Sequence, residues 1–194
     1  MDDVAEILLD GGVALLPTDT VYGLLARPDI PAAVARIFAL KNRPAEKNLP
    51  IFVANASQLA ALGVKIDHRV AHLLESRFMP GPLTLILGLE PARTPAWLQG
   101  RNEVAVRMPA DHSLLALLKK TGPLLATSAN ASGKETPAEI APIKAQLAGV
   151  PDVAIDAGPR KGAPSTLIDC QTTPFTVLRR GALSAAALAE VLEI

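Results

Sequence analysis

Short runs of consecutive apolar residues alternate along this chain with segments whose apolar residues recur three or four positions apart, and few folds satisfy both patterns. Residues 13–16 form an apolar run that stops at Pro17. Residues 49–53, 83–89, 104–108, 124–127, 153–155, 166–168 and 175–178 also read as short strands. Between them, Val4, Ile7 and Leu8 have helical spacing, closed by Gly11-Gly12. Pro31 suits a first helical turn, and Val34, Ile37 and Phe38 then make one apolar face. Asn55 can cap a helix over 57–62, Asp67 one that runs to Phe78, and Ser184 the last. A further helix is expected between Asp111 and Lys120, and another opening at Thr136-Pro137. Strands interleaved with helices give an α/β domain with helices over a mixed sheet.

No repeat or low-complexity linker divides the 194 residues, so 1–194 is expected to form a single domain. Nineteen basic residues balance nineteen acidic ones, which argues against a polybasic nucleic-acid coat. Only 3% of residues are aromatic, too few for a base-stacking platform. The balance is uneven locally. Residues 1–19 hold Asp2, Asp3, Glu6, Asp10 and Asp19 with no base, whereas 27–47 hold Arg27, Arg36, Lys41, Arg43 and Lys47. The single cysteine, Cys170, fits a reducing compartment, and the N-terminus is acidic and amphipathic where a secretory signal would be basic then apolar. No apolar run reaches the ~18 residues of a membrane span. A cytoplasmic protein without membrane contact is expected.

Several motifs fail. Gly133-Lys134 is followed by Glu135, and Ser128 stands where a phosphate-wrapping loop needs its first glycine. His68 and His72 lie four apart without the glutamate of a zinc protease, so no metal site is expected. Ser128 lacks the glycines of a nucleophile elbow.

Four segments carry polar chemistry at strand borders. PTDTVYGL (17–24) places hydroxyls and Asp19 after a strand, either to bind a small polar ligand or as a turn that caps a helix, with Gly23 allowing a tight bend. Lys41 ends the helix from Pro31, and Arg43 and Lys47 follow in a loop that Pro44 keeps out of helix; cations there favour the dipole and can also clamp phosphates. Lys41 and Arg43 are expected to be exposed. TSANASGKETP (127–137) offers Ser128, Asn130 and a cap at Thr136. Arg107, Ser165-Thr166 and Arg179 border late strands.

PTDTVYGL, Lys41-Asn42-Arg43-Pro44, PGPLTLIL, VAVRMP, TSANASG, STLID and LRRGA follow one another in this order, and through them residues 10–183 resemble the YrdC/TsaC family. The resemblance implies a twisted sheet around a concave basic cavity. It implies a threonylcarbamoyl-AMP synthase of the short, single-domain type, a nucleotidyltransferase that joins L-threonine, bicarbonate or CO2, and ATP and releases pyrophosphate. Mg²⁺ would bridge the phosphates. A separate transferase complex would pass the product to tRNA, with at most a weak tRNA contact by this chain. Carried over by motif, Thr20, Arg107 and Ser165 would hold threonine. Lys41, Arg43, Lys47, Ser128, Asn130, Thr136 and Arg179 would hold ATP, with Lys41 and Arg43 catalytic through charge stabilisation. The chain departs from the pattern in having Phe52 or Ala54 where relatives carry a threonine-contacting histidine, GAPSTLID without Val-Glu, and Arg180 in place of proline. Two other readings are a non-catalytic RNA-binding module and a different carbamoyl-adenylate enzyme. The first suits the aromatic-poor, neutral composition badly, and the second occurs in longer, cysteine-bearing chains.

Overall fold

The computed structural model describes residues 1–44 and 48–193. Helix α1 (Asp2–Leu9) leads into β1 (Ala14–Leu16) and β2 (Gly23–Ala26). Helix α2 (Pro31–Lys41), β3 (Ile51–Phe52), α3 (Ala56–Ala61), α4 (His68–Glu75) and β4 (Leu83–Gly88) follow. After a 3-10 turn at Ala96–Leu98 come β5 (Glu103–Arg107), α5 (His112–Thr121), β6 (Leu124–Ser128) and α6 (Ile140–Gln146). Strands β7 (Val153–Ala154), β8 (Thr166–Asp169) and β9 (Thr176–Arg179) precede α7 (Ala185–Leu192).

Among the described residues the strands form one mixed sheet in the order β7-β1-β2-β6-β3-β5-β4-β8-β9. The β1–β7, β3–β5 and β4–β8 pairs are parallel, and the other pairs are antiparallel. The three expected caps are in place, and Asp111 adds a fourth: Asn55, Asp67, Asp111 and Ser184 accept from the backbone N–H three residues on, each relieving one unpaired donor of its helix. Three expectations are corrected. Thr136 caps nothing, because its hydroxyl is drawn to Asn130 and α6 starts at Ile140. Gly23 makes no tight bend but opens β2, opposite Ser128, so the segment from Pro17 leads into a buried strand rather than a helix. Helix α4 stops at Glu75, where the Ser76 hydroxyl takes the Leu73 carbonyl at 2.6 Å.

Strand periodicity sends alternate residues to opposite faces. Val13, Leu15, Leu24, Ile51 and Leu125 join a core with Ile37 of α2, Leu73 of α4, Ile143 of α6 and Val191 of α7. Ala14, Leu16, Leu25, Phe52, Leu124 and Ala126 join the other, under Val4 and Leu8 of α1 and Leu114, Leu117 and Leu118 of α5. Fully burying one such leucine contributes about 1.5–3 kcal/mol. The second core draws nothing from β4, β5, β8 or β9. Helices α1 and α5 therefore roof only half of that face, and the other half is open for something else.

Candidate active site

The open half-face carries a cavity of about 300 Å³. Its floor is built by strand alternation. Glu103, Ala105 and Arg107 of β5 line it, while Val106 and the buried side of Val104 belong to the core beneath. Thr84 and Ile86 of β4, Ser165 and Leu167 at β8, and Arg179 of β9 continue the floor. Thr18, Thr20, Phe52 and Ser128 stand along the roofed side, and Arg43 reaches in from beyond α2. Four arginines, Arg43, Arg101, Arg107 and Arg179, meet one lining carboxylate, Glu103.

Arg107 is the fixed point. It is only 3% exposed, so its charge needs partners. Nη2 donates to Asp19 Oδ1 at 2.7 Å, Nη1 to Thr20 Oγ1 at 2.9 Å, and Nε to the Gly81 carbonyl at 3.0 Å. Its guanidinium also lies over the Phe52 ring, 5.4 Å from the centroid. Three of the five guanidinium N–H groups are thus committed, leaving two for a ligand. Burial holds its pKa below the ordinary value against the pull of Asp19, and the Arg179 charge acts with burial. Phe52, which stands in the strand where a histidine was expected, therefore serves as a flat wall under a cation.

Opposite it, Arg179 donates through Nε and Nη2 to the Ser165 carbonyl (3.2 and 2.9 Å) and through Nη2 to Ser165 Oγ (3.2 Å). Ser165 Oγ is 2.7 Å from Thr84 Oγ1, which is buried in the floor. Burial lowers the Arg179 pKa as well. Two guanidinium charges near enough to disfavour each other face one space, an arrangement that an anion relieves.

Lys41 differs from expectation. It is 1% exposed, not a surface cation. Its Nζ donates to the Ser128 carbonyl, to the Asn130 carbonyl at 2.8 Å and to Asn130 Oδ1 at 3.3 Å. Asn130 Oδ1 also accepts from Ser128 Oγ at 2.5 Å and Thr136 Oγ1 at 3.0 Å. The Asn130 amide donates to the carbonyls of Ala131 (2.9 Å) and Lys134 (2.7 Å). The loop after β6 is therefore folded around a buried ammonium, because its carbonyls turn inward and need a donor. Burial, assisted by the Arg43 charge, pushes the Lys41 pKa down to about 8. Arg43 is half-buried and also lowered by burial. Among the described residues its Nε is buried without a partner, and Nη2 makes a long bond of 3.4 Å to the Asn48 carbonyl.

Thr20, Arg43, Arg107, Ser128, Ser165 and Arg179 all line the same cavity. Lys41, Asn130 and Thr136 stand behind Ser128 in its hydrogen-bond cluster. Lys47 lies outside the described residues. The sequence reading passed over Thr18, Thr84, Arg101 and Glu103. Period-two alternation back from Arg107 through Ala105 points to Glu103, about 13 Å along the strand. Glu103 lies one residue before the VAVRMP motif, outside its bounds.

A strap over 156–164 runs beside the cavity, which its last residue, Pro164, lines. Tyr22, fully buried, donates from Oη to the Gly158 carbonyl at 2.8 Å and accepts from Ala157 N at 3.0 Å. Arg160 N donates to the Ala138 carbonyl at 2.8 Å. Just beyond these pins Gly162 lies against Thr20, and a Cβ there would fall 2.3 Å from the Thr20 carbonyl oxygen. Backbone cannot rotate out of the way as a side chain can. Gly162→Ala is expected to lower stability by about 1–3 kcal/mol and to weaken ligand binding, read by thermal denaturation and calorimetry.

No group of three or more His, Cys, Asp or Glu among the described residues could hold a metal ion. His68 and His72 are exposed on α4. Cys170 is buried, and burial pushes its thiol up to about 12, out of nucleophilic range. No described helix is long and apolar enough to cross a membrane.

The half-roofed face of this mixed α/β sheet gathers arginines and hydroxyls around one cavity, an arrangement chemically suited to a small anion. The family model for Sua5/YciO/YrdC, described as "Telomere recombination", matches residues 6–181, and the chain belongs to that family. It is 39% identical over 181 residues to the threonylcarbamoyl-AMP synthase of Pyrococcus abyssi, covering 92% of this chain and 53% of that protein. It is 38% identical over 184 residues to the threonylcarbamoyl-AMP synthase of Bacillus subtilis, covering 93% and 53%. The solved structure of P. abyssi Sua5 complexed with L-threonine superposes with a TM-score of 0.87 at 37% identity, over 97% of this chain and 56% of that one. The chain spans about half the length of the curated relatives it matches.

Proposed function

We propose that this chain is an L-threonylcarbamoyladenylate synthase, a nucleotidyltransferase acting on L-threonine, bicarbonate or CO2, and ATP. The observation that carries the reading is the convergence of two sets of side chains on one cavity, Thr20, Arg107 and Ser165 with Arg43, Ser128 and Arg179. Support comes also from the relatives of that name and from the threonine-bound relative of the same fold.

In this reading Arg107 takes the amino-acid carboxylate with its two uncommitted N–H groups. Thr20 and Ser165 fix the rest of the amino acid. The ammonium first gives up a proton to solvent, and the neutral amine then attacks CO2, or a bicarbonate-derived electrophile, and sheds a second proton as the carbamate forms. A carbamate oxygen then attacks the α-phosphorus of ATP, and the bond to the pyrophosphate oxygen breaks. Negative charge gathers on phosphate oxygens, and Arg43 and Arg179 stabilise it without a covalent enzyme intermediate. Lys41, Asn130 and Thr136 hold Ser128 and its loop in place, so their part in ATP binding runs through that loop. Lys47 is kept as a further phosphate contact of the same proposal. The described residues offer no carboxylate cluster for Mg²⁺, so the ion fits as part of the nucleotide substrate, held by the phosphates.

The product would serve a separate tRNA-threonylcarbamoyl transferase complex, with at most a weak tRNA contact here. We read residues 1–194 as a single domain, supported by the one sheet that runs through them. A cytoplasmic setting belongs to the same proposal, supported by the single, buried cysteine. The RNA-binding alternative is not favoured, because among the described residues the cavity offers only Tyr22 and Phe52 as aromatic walls. The test is incubation of pure protein with ATP, Mg²⁺, L-threonine and labelled bicarbonate. A labelled adenylate and pyrophosphate are expected, both dependent on threonine. Their absence would sink the proposal.

A further inference from the structure

Hydroxyl groups both give and take hydrogen bonds, so a site built from them recognises a ligand only if something fixes which they do. In this cavity the protons can be counted. Thr18 Oγ1 lies 2.7 Å from the Val21 carbonyl, which can only accept, so the single Thr18 proton goes there. Thr20 N–H donates to Thr18 Oγ1 at 3.1 Å. The remaining contact, Thr18 Oγ1 to Thr20 Oγ1 at 3.0 Å, then has one donor left to make it, the Thr20 hydroxyl. Thr20 Oγ1 meanwhile accepts from Arg107 Nη1 at 2.9 Å. Its proton is spent on Thr18 and one lone pair on Arg107. One lone pair remains. Both threonines are 4% exposed and line the cavity, so water does little to reorient them.

We infer that Thr18 is a positioning residue that fixes Thr20 as a hydrogen-bond acceptor toward the ligand, so that the site selects a donor, the protonated amine of an amino acid, beside the carboxylate held by Arg107. Thr18 acts through Thr20. It touches the reacting atoms in no step above. The pairing is complementary in sign: a guanidinium for the carboxylate and, next to it, an oxygen that can only accept for the ammonium. A ligand bearing a carboxylate but no adjacent donor would leave the Thr20 lone pair unpaired in a buried place, which weakens binding by about tenfold. The inference rests on the amino-acid reading of the site, and its test separates the two.

Calorimetry would compare L-threonine with 3-hydroxybutyrate, which keeps the carboxylate and side-chain hydroxyl but lacks the amine. Wild-type protein is expected to favour threonine by about tenfold or more. Thr18→Val keeps the shape but removes the acceptor for the Thr20 proton. That proton is then free to turn toward the ligand, and the preference should shrink to about threefold or less. Thr18→Ser keeps the hydroxyl and should restore the wild-type ratio, which a role in packing alone would not do. Should Thr18→Val not fold, Thr18→Ala with the same two ligands takes its place, and circular dichroism identifies the folded variant. An unchanged ratio in a folded variant lacking the hydroxyl overturns the inference while the amino-acid reading stands. Failure of wild-type protein to bind threonine overturns both.

Discussion

Lys41→Ala is expected to destabilise the protein by about 2–4 kcal/mol and to abolish nucleotide binding along with the order of the loop after β6. The side chain is 1% exposed and its ammonium satisfies the carbonyls of Ser128 and Asn130. Removing it leaves those inward-facing oxygens without a donor. Lys41→Met separates volume from charge: it fills the space, keeps part of the packing, and should still lose the loop. Differential scanning calorimetry gives the stability and titration with ATP gives the binding. The alternative, a surface lysine that acts only on phosphate, predicts lost binding at unchanged stability.

The same lysine predicts two pH effects of opposite sign. Its pKa is lowered to about 8 in the folded protein against an ordinary 10.5. Between those values the unfolded chain holds a proton that the native chain has released, so this group's contribution to stability rises with pH across that window. Below the folded value both states are protonated and the burial penalty is present in full. Ligand binding runs the other way. Above pH 8 the amine is neutral, and it loses both its charge and one of three donors. The difference between wild type and Lys41→Met, measured at pH 7 and pH 9.5, isolates both trends from the other titrating groups.

Arg107→Ala is expected to be as damaging, for a different reason. It strands the Asp19 carboxylate, whose side chain is 12% exposed, and frees Thr20 and the Gly81 carbonyl. Removing one partner of a buried ion pair typically costs about 3–5 kcal/mol. The double variant Arg107→Met, Asp19→Asn removes both charges and should recover much of that stability, yet bind no threonine. Arg107→Lys keeps the charge but offers one ammonium in place of a planar fork. It should retain the fold and lose affinity by at least about tenfold. Thermal melts and threonine titration together decide the matter. Stability and binding that return together in the double variant would mean the arginine serves the fold alone.

Much of this architecture was legible beforehand. The caps at Asn55, Asp67 and Ser184 were visible because a short polar side chain before an apolar helical face has few other uses. Thr20, Arg43, Arg107, Ser128, Ser165 and Arg179 were named from the ordered motifs that carry the family resemblance, and their side chains line one cavity. Burial was not legible. Lys41 looks like a helix-end cation in the sequence, and only the inward turn of residues 128–130 makes it an internal anchor. Thr136 looked like a cap for a similar reason, since the sequence does not reveal that Asn130 competes for its hydroxyl. Strand β2 was hidden because four apolar residues after a polar loop read equally well as the continuation of a turn. Thr84 was lost among the leucines of β4, where one hydroxyl in an apolar run carries no signal until its neighbour Ser165 is known.

The alternation along β5 has a consequence for how such a protein can diverge. Val104 and Val106 serve the interior while Glu103, Ala105 and Arg107 serve the cavity, on one five-residue strand. Point changes at the odd positions can alter what is bound while the interior stays as it is. A single inserted or deleted residue cannot do so, since it would carry the charges inward and the valines out. Drift in this strand is thus confined to substitution, and ligand preference is free to wander within a length that the fold holds constant.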